Sequence, residues 1–318
     1  MKFPVFKAIA TTFAVAAQYW LDLLRIVWAP VTLFAVASVI YSSAFQHYLL
    51  EVASSPPYQQ QGFPPAFFEL LPYVAASLLI STVFGVMTTA GIHKLVLRGE
   101  KPALPFYLNL GMDEWRLFLT GLVFVCIFFL VQVTMIVLVG LVSAFSAISP
   151  MVGSAAGFIL VIVTMFFLIR LLLRLSLVTA ACVDKRRIGV KPSFAATRGN
   201  ELPLLGYWLM WIVMGCALQI VATAILVPES FGAYQAMLNP GSPESHQLAQ
   251  EAMVASARSF DPATPLGIAR IAVSWLFAAI QIVFGLLAAS IAWRMINEGK
   301  QTAKPFVNDG SASSVMGF

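Results

Sequence analysis

Arg170 and Arg174 stand four residues apart inside an otherwise apolar stretch, a spacing that puts two guanidinium groups on one helix face. Two such cations suit an anion, a lipid headgroup or a phosphate, and Arg198 in the following polar segment is the third member of this candidate anion-binding set. Depth weighs against a deep site. Counted from Ala155, Arg170 lies about 22 Å and Arg174 about 28 Å along the helix. In roughly 30 Å of hydrocarbon both reach the inner headgroups by snorkelling, which is the plainer reading.

Gln132, Gln219 and Gln281 form a second candidate set. Gln132 and Gln219 each lie about 24 Å, and Gln281 about 20 Å, from the basic end of their apolar runs. A shared intramembrane polar cluster is therefore permitted. Such glutamines tie helices together at about 0.6 kcal/mol per hydrogen bond, or line a path for a substrate or ion. Gly285 and Ala289 form a small-xxx-small pair that suits close helix packing.

Other chemistry is thinly represented. His47, His93 and His246 stand singly and are expected at the surface, with no metal role. Cys126, Cys182 and Cys216 fall in apolar runs without zinc or disulfide spacing. Phosphate-loop, HExxH, GxSxG and GxGxxG patterns are absent, and no Asp or Glu falls mid-span. A catalytic function, a cofactor and a proton-coupled transporter are not expected.

The elements that would position these residues follow from composition. Of 318 residues, 60% are hydrophobic and 10% charged, against roughly a quarter charged in soluble domains. Mean hydropathy is +0.87. A soluble globular protein, a disordered chain and a disulfide-rich scaffold are excluded, because too little polar surface is available. Six apolar runs are long enough to cross a bilayer: 26–50, 67–97, 117–148, 155–183, 203–227 and 268–296.

The net charge of +5 reads as an orienting signal, with no nucleic-acid partner expected. All Lys and Arg except Arg258 and Arg270 fall on one side of this six-span arrangement, which predicts cytoplasmic termini. Lys2 and Lys7 ahead of Ala14-Val15-Ala16 resemble a signal peptide, but cleavage would invert every basic loop, so residues 1–25 are expected to be retained. That segment carries Phe6, Ile9, Phe13, Ala17 and Trp20 at helical spacing and is expected to lie flat at the interface. Similar segments at 101–115 and 191–200 suggest three units, each an interfacial helix followed by a membrane hairpin. Trp20, Trp28, Trp115, Trp208, Trp211 and Trp293 fall near the basic boundary and Trp275 near the other, an anchoring asymmetry.

The single membrane domain spans 1–318, with a six-helix bundle over 26–296. The first outer loop, 51–65, is expected to be irregular. The outer loop 228–267 is expected to hold a short helix over 243–258, capped by Ser242-Pro243-Glu244. The cytoplasmic tail 297–318 is expected to be disordered from 308.

Arg174-Leu-Ser-Leu-Val, then Asp184-Lys-Arg-Arg, then Ser193-Phe-Ala-Ala-Thr-Arg-Gly-Asn200 form a helix end, a basic loop and a polar entry to the next span. This stretch resembles the YciC-like six-helix bacterial membrane proteins and the membrane domain attached to some glycerophosphodiester phosphodiesterases. The resemblance implies a bacterial inner-membrane location and a part in membrane or envelope homeostasis. No segment here resembles the phosphodiesterases' catalytic domain, so their activity is not implied. Thr179-Ala180-Ala181 departs from the pattern, where a proline is common, and predicts that the fourth span runs on unbroken.

The expected protein is all-α and polytopic, with six spans and interfacial amphipathic helices. It is expected to be non-enzymatic, engaging lipids, anionic ones included, or organising the membrane or envelope. A transporter of a small or amphiphilic molecule, with a cavity reaching the three glutamines, is the alternative. An accessory subunit of a larger complex is another, with a membrane-protein partner or a second copy.

Overall fold

A computed structural model describes residues 3–54, 65–102, 107, 110–226 and 263–298. All regular structure among them is helical, as the apolar periodicity predicts. The elements are α1 (Val5–Gln18), α2 (Trp20–Ser54), α3 (Pro65–Arg98), α4 (Met112–Ile148), α5 (Pro150–Leu175), α6 (Val178–Lys185), α7 (Val190–Thr197), α8 (Glu201–Leu226) and α9 (Pro265–Glu298). Residues 55–64, most of the outer loop with its expected 243–258 helix and His246, and the tail from 299 lie outside the described residues.

Helix boundaries have local causes. Pro150 opens α5 at a position where its missing N–H costs nothing. The Thr264 hydroxyl accepts the Gly267 N–H at 3.0 Å and caps α9 just ahead of Pro265. Gly99, at φ 70°, turns the chain out of α3 while its N–H still reaches the Leu95 carbonyl at 3.1 Å. The helical ends at Ser54 and Pro65 make the first outer connection shorter than the expected 51–65 loop.

Among the described residues five helical stretches are long and apolar enough to cross a membrane: Phe67–Arg98, Met112–Ala144, Gly153–Lys185 (α5 continued by α6), Glu201–Leu226 and Pro265–Asn297. Their outward faces are strongly apolar, with Phe129, Ile136, Phe158 and Ile220 among the exposed side chains. That much exposed hydrocarbon is stable facing lipid, not water. At 35 residues α2 has the length to span as well, but many side chains in its second half lie outside the described residues.

The helices pack in two groups. Helices α1, α2, α3, α8 and α9 surround one core that includes Ile26, Ile92, Leu204, Tyr207, Leu287 and Trp293. Helices α4 and α5 pack chiefly on each other and meet the first group mainly at their basic ends, through α6 and α7. Between α3 and the α4–α5 pair the walls separate.

Two expectations need correction. The fourth span does not run on unbroken: α5 stops at Leu175, and the chain turns at Ser176–Leu177 before α6. Side chains capture the carbonyls that would continue the helix. Ser176 Oγ donates to the Leu173 carbonyl at 2.8 Å, and Ser193 Oγ to the Arg174 carbonyl at 2.5 Å. A proline is unnecessary for the break.

Helix α1 packs on the bundle through small residues. Ala8, Thr12 and Val15 are buried against α8 and α9, while Phe6, Phe13 and Trp20 point outward. Small side chains let the helix approach closely, Phe13 also rests on Trp211 and Phe284, and Phe6 is left exposed for the headgroup boundary. Trp293, expected in the interfacial belt, is a core residue.

Close approach also explains Gly189, between α6 and α7. A Cβ there would collide with the Val178 carbonyl, whereas glycine lets the two short helices nest. Gly189→Ala is expected to cost about 1–3 kcal/mol, as over-packing does. Thermal unfolding of the purified protein would read this, and an unchanged midpoint would contradict the tight α6–α7 packing.

Candidate functional site

The cationic ends of α3 and α4 form an ion network at the foot of the gap between them. Lys94 Nζ lies 2.8 Å from Glu114 Oε1, whose carboxylate is fully buried. The Tyr107 hydroxyl donates to the same oxygen at 2.6 Å. The Gly111 N–H donates to Glu114 Oε2 at 2.9 Å, one half of a capping box. Asp113 pairs with Arg98 at 2.7 Å and Arg116 at 3.0 Å, and Arg98 also donates to the Val183 carbonyl. Sequence reasoning used these cations only for topology. Two acids in the first turn of α4, facing two cations in the last turns of α3, were the legible signal.

The candidate arginines are partly brought together. Arg170 and Arg174 do share a helix face, and both reach Glu201 at the start of α8: Arg170 Nε to Oε2 at 3.1 Å, Arg174 Nη2 to Oε1 at 2.6 Å. Arg174 also stacks over the Phe194 ring, 5.6 Å from its centroid. The anion they hold is thus the chain's own carboxylate. Arg198 is exposed and, among the described contacts, does not join them.

The glutamines separate similarly. Gln281 Nε2 donates to Gln219 Oε1 at 3.4 Å and to the Gly215 carbonyl at 3.3 Å, tying α9 to α8. Gln132 is exposed on α4, which has no substantial packing on α8 or α9, so the expected three-residue cluster does not form. Ala289 packs in the core and Gly285 faces open space.

His93 was expected at the surface and is wholly buried. Its Nδ1 lies 2.6 Å from Ser290 Oγ and its Nε2 2.9 Å from Thr179 Oγ1, linking α3, α9 and α6. Ser290 Oγ donates to the Leu286 carbonyl at 2.9 Å, so it accepts the Nδ1–H, and Nε2 is left to accept the Thr179 proton. The hint in sequence was a small-residue and threonine run, Thr88-Thr89-Ala90-Gly91, that allows helices to close around the imidazole.

Thr179 opens onto a partly open cavity of about 380 Å³ between α3, α4 and the α5–α6 corner. Ser81, Thr82 and Thr89 line one side, Thr120 and Phe124 another, and Ser176 with Thr179 the corner. The wall is mainly apolar and has no charged side chain among the described residues. Gly85 and Gly121 both line the gap, and a Cβ on either would meet nothing within 4 Å. None of the three glutamines lines this space. Among the described residues no group of His, Cys, Asp and Glu is placed to hold a metal ion. An apolar cleft with scattered hydroxyls is suited to reversible binding of an amphiphile.

Comparison with known proteins finds no matching family, no matching characterised protein and no matching solved structure.

Proposed function

We propose that this chain is a six-span membrane protein of the bacterial inner membrane, with both termini cytoplasmic, that engages membrane amphiphiles without catalysing a reaction. The cavity between α3 and α4 carries the reading. It lies at the depth of the spans, its rim includes the exposed Thr82, Gly85 and Gly121, and its volume falls within the range of small-ligand sites, about 300–1,000 Å³. Because α4 and α5 stand apart from the main core, a hydrocarbon chain reaches the cavity sideways from lipid. The described cations other than Arg270 gather at one end of the alternating helices, which supports the cytoplasmic assignment. The likeness of 174–200 to the YciC-like proteins supports the bacterial location.

Anionic lipid is a second component of the proposal. Arg186, Arg187, Lys191 and Arg198 are exposed along α6–α7, beside the exposed Ile188 and Leu202, an arrangement suited to anionic headgroups. Arg170 and Arg174 contribute less than their spacing implies, since Glu201 already neutralises them in part. The permease reading expected a cavity at the three glutamines, and none of the three lines this one.

Filling the gap tests the reading. Gly85→Leu and Gly121→Leu place apolar bulk in open space. In nanodiscs, saturable labelling by a panel of photoreactive long-chain amphiphiles should fall by at least about fivefold, the loss that accompanies some 1 kcal/mol of contact. The thermal midpoint should hold. Labelling that is unsaturable, or unchanged in both variants, would remove the proposal.

A further inference from the structure

Five of the six hydroxyls lining the cavity share a polarity. Ser81 Oγ donates to the Ser77 carbonyl at 2.7 Å, Thr82 Oγ1 to the Leu78 carbonyl at 2.7 Å, and Ser176 Oγ to the Leu173 carbonyl. Thr120 Oγ1 donates to the Arg116 carbonyl at 2.7 Å. Thr179 is the exception in kind, because its proton goes to the imidazole of His93 and not to its own helix. Five hydroxyl hydrogens are therefore spent inside the protein, and what each of those oxygens offers the cavity is a lone pair, whereas Thr89, with no such bond among the described contacts, can still donate.

Thr179 is the most tightly directed of the five. The Ser290 hydroxyl, held by the Leu286 carbonyl, receives the Nδ1–H of His93 and so fixes the ring with Nε2 toward Thr179. Burial of the imidazole on every side keeps this chain of bonds in place. His93 thus acts as a positioning residue that holds Thr179 as an acceptor.

A wall with five acceptors and a single free donor selects its occupant. A phosphate or carboxylate headgroup would set lone pairs against lone pairs and bury an ion among apolar groups, which is costly. A cation would find no carboxylate in the lining. An ester or ether brings no donor. We infer that the cavity takes an uncharged amphiphile with free hydroxyl donors, its chain in the open apolar part and an O–H directed at Thr179 Oγ1. This deepens the amphiphile-binding reading and rests on it.

Competition against a photoreactive hydrocarbon-chain probe on the full chain in nanodiscs tests the ligand class. Hexadecanol, hexadecyl methyl ether and hexadecyl phosphate share a chain and differ in the head. Hexadecanol should compete roughly three- to tenfold better than either other, the value of one or two net hydrogen bonds. Thr179→Val should abolish that advantage while leaving the ether's competition unchanged, and Thr179→Ser should restore it. Ethanediol, which has the donors without the chain, should not compete.

Equal competition by the three heads, or preference for the phosphate, would overturn the inference while leaving amphiphile binding intact. Competition by ethanediol would also overturn it, by placing the ligand in water. If Thr179→Val does not fold, the ranking on the unmodified protein decides the matter. Failure of the amphiphile reading itself looks different: no probe then labels saturably, and Gly85→Leu changes nothing.

Discussion

Glu114→Ala is expected to destabilise the protein by about 3–5 kcal/mol, the typical cost of breaking a buried ion pair from one side. The carboxylate has no exposed surface, and the Lys94 side chain is only 10% exposed. Removing the acid strips Lys94 of its 2.8 Å partner, the Tyr107 hydroxyl of its acceptor and the Gly111 N–H of its cap. Asp113, 3.7 Å from Lys94 and already engaged by two arginines, compensates poorly. The double variant Lys94→Met, Glu114→Leu should recover much of the loss, because it removes both charges and not one. Denaturant unfolding of the purified protein in detergent would read both. A double variant as unstable as the sum of the singles would show that the two residues do not act as a pair.

Tyr207→Ala should have a comparable cost, about 3–5 kcal/mol for removing a large buried aromatic, but a different footprint. Tyr207 is wholly buried where α1 meets α8 and α9. Its hydroxyl donates to the Ala288 carbonyl at 3.1 Å and lies 3.3 Å from Thr12 Oγ1, and Phe3 meets its ring edge-on at 5.3 Å. These contacts join α1 to the bundle. Hydrogen exchange across α1 should therefore accelerate more than across α4, which does not touch the residue. Tyr207→Phe, keeping the ring and losing the hydroxyl, should cost only about 1 kcal/mol. Uniform acceleration in all helices would show that α1 is not a separately anchored element.

Helix class and the membrane-length runs were plain in the sequence, because hydrocarbon leaves the backbone no partner but itself and demands long unbroken apolar stretches. The shared face of Arg170 and Arg174 was legible for a similar reason, since it follows from helical period alone. Their Glu201 partner was not. It sits beyond a turn and two short helices, and only the fold of α6 and α7 brings it back. Gln219 and Gln281 meet because α8 and α9 are packed neighbours, while equal depth gave Gln132 the same standing without a neighbour to bond. Depth along a helix is local information, and azimuth between helices is not.

His93 shows the limit most clearly. A lone histidine five residues from a helix end gives no sign of burial, and its two partners lie 86 and 197 residues away. Likewise the break at Ser176 is set by Ser193, a hydroxyl from another helix that takes the Arg174 carbonyl. The residue order by itself determined that these are apolar helices with most of their cations confined to the connecting segments and helix ends, because the bilayer imposes that pattern on each segment separately. Only the tertiary structure decided which polar side chains meet and where the walls part to leave a cavity, because those depend on how helices distant in the chain rotate and approach.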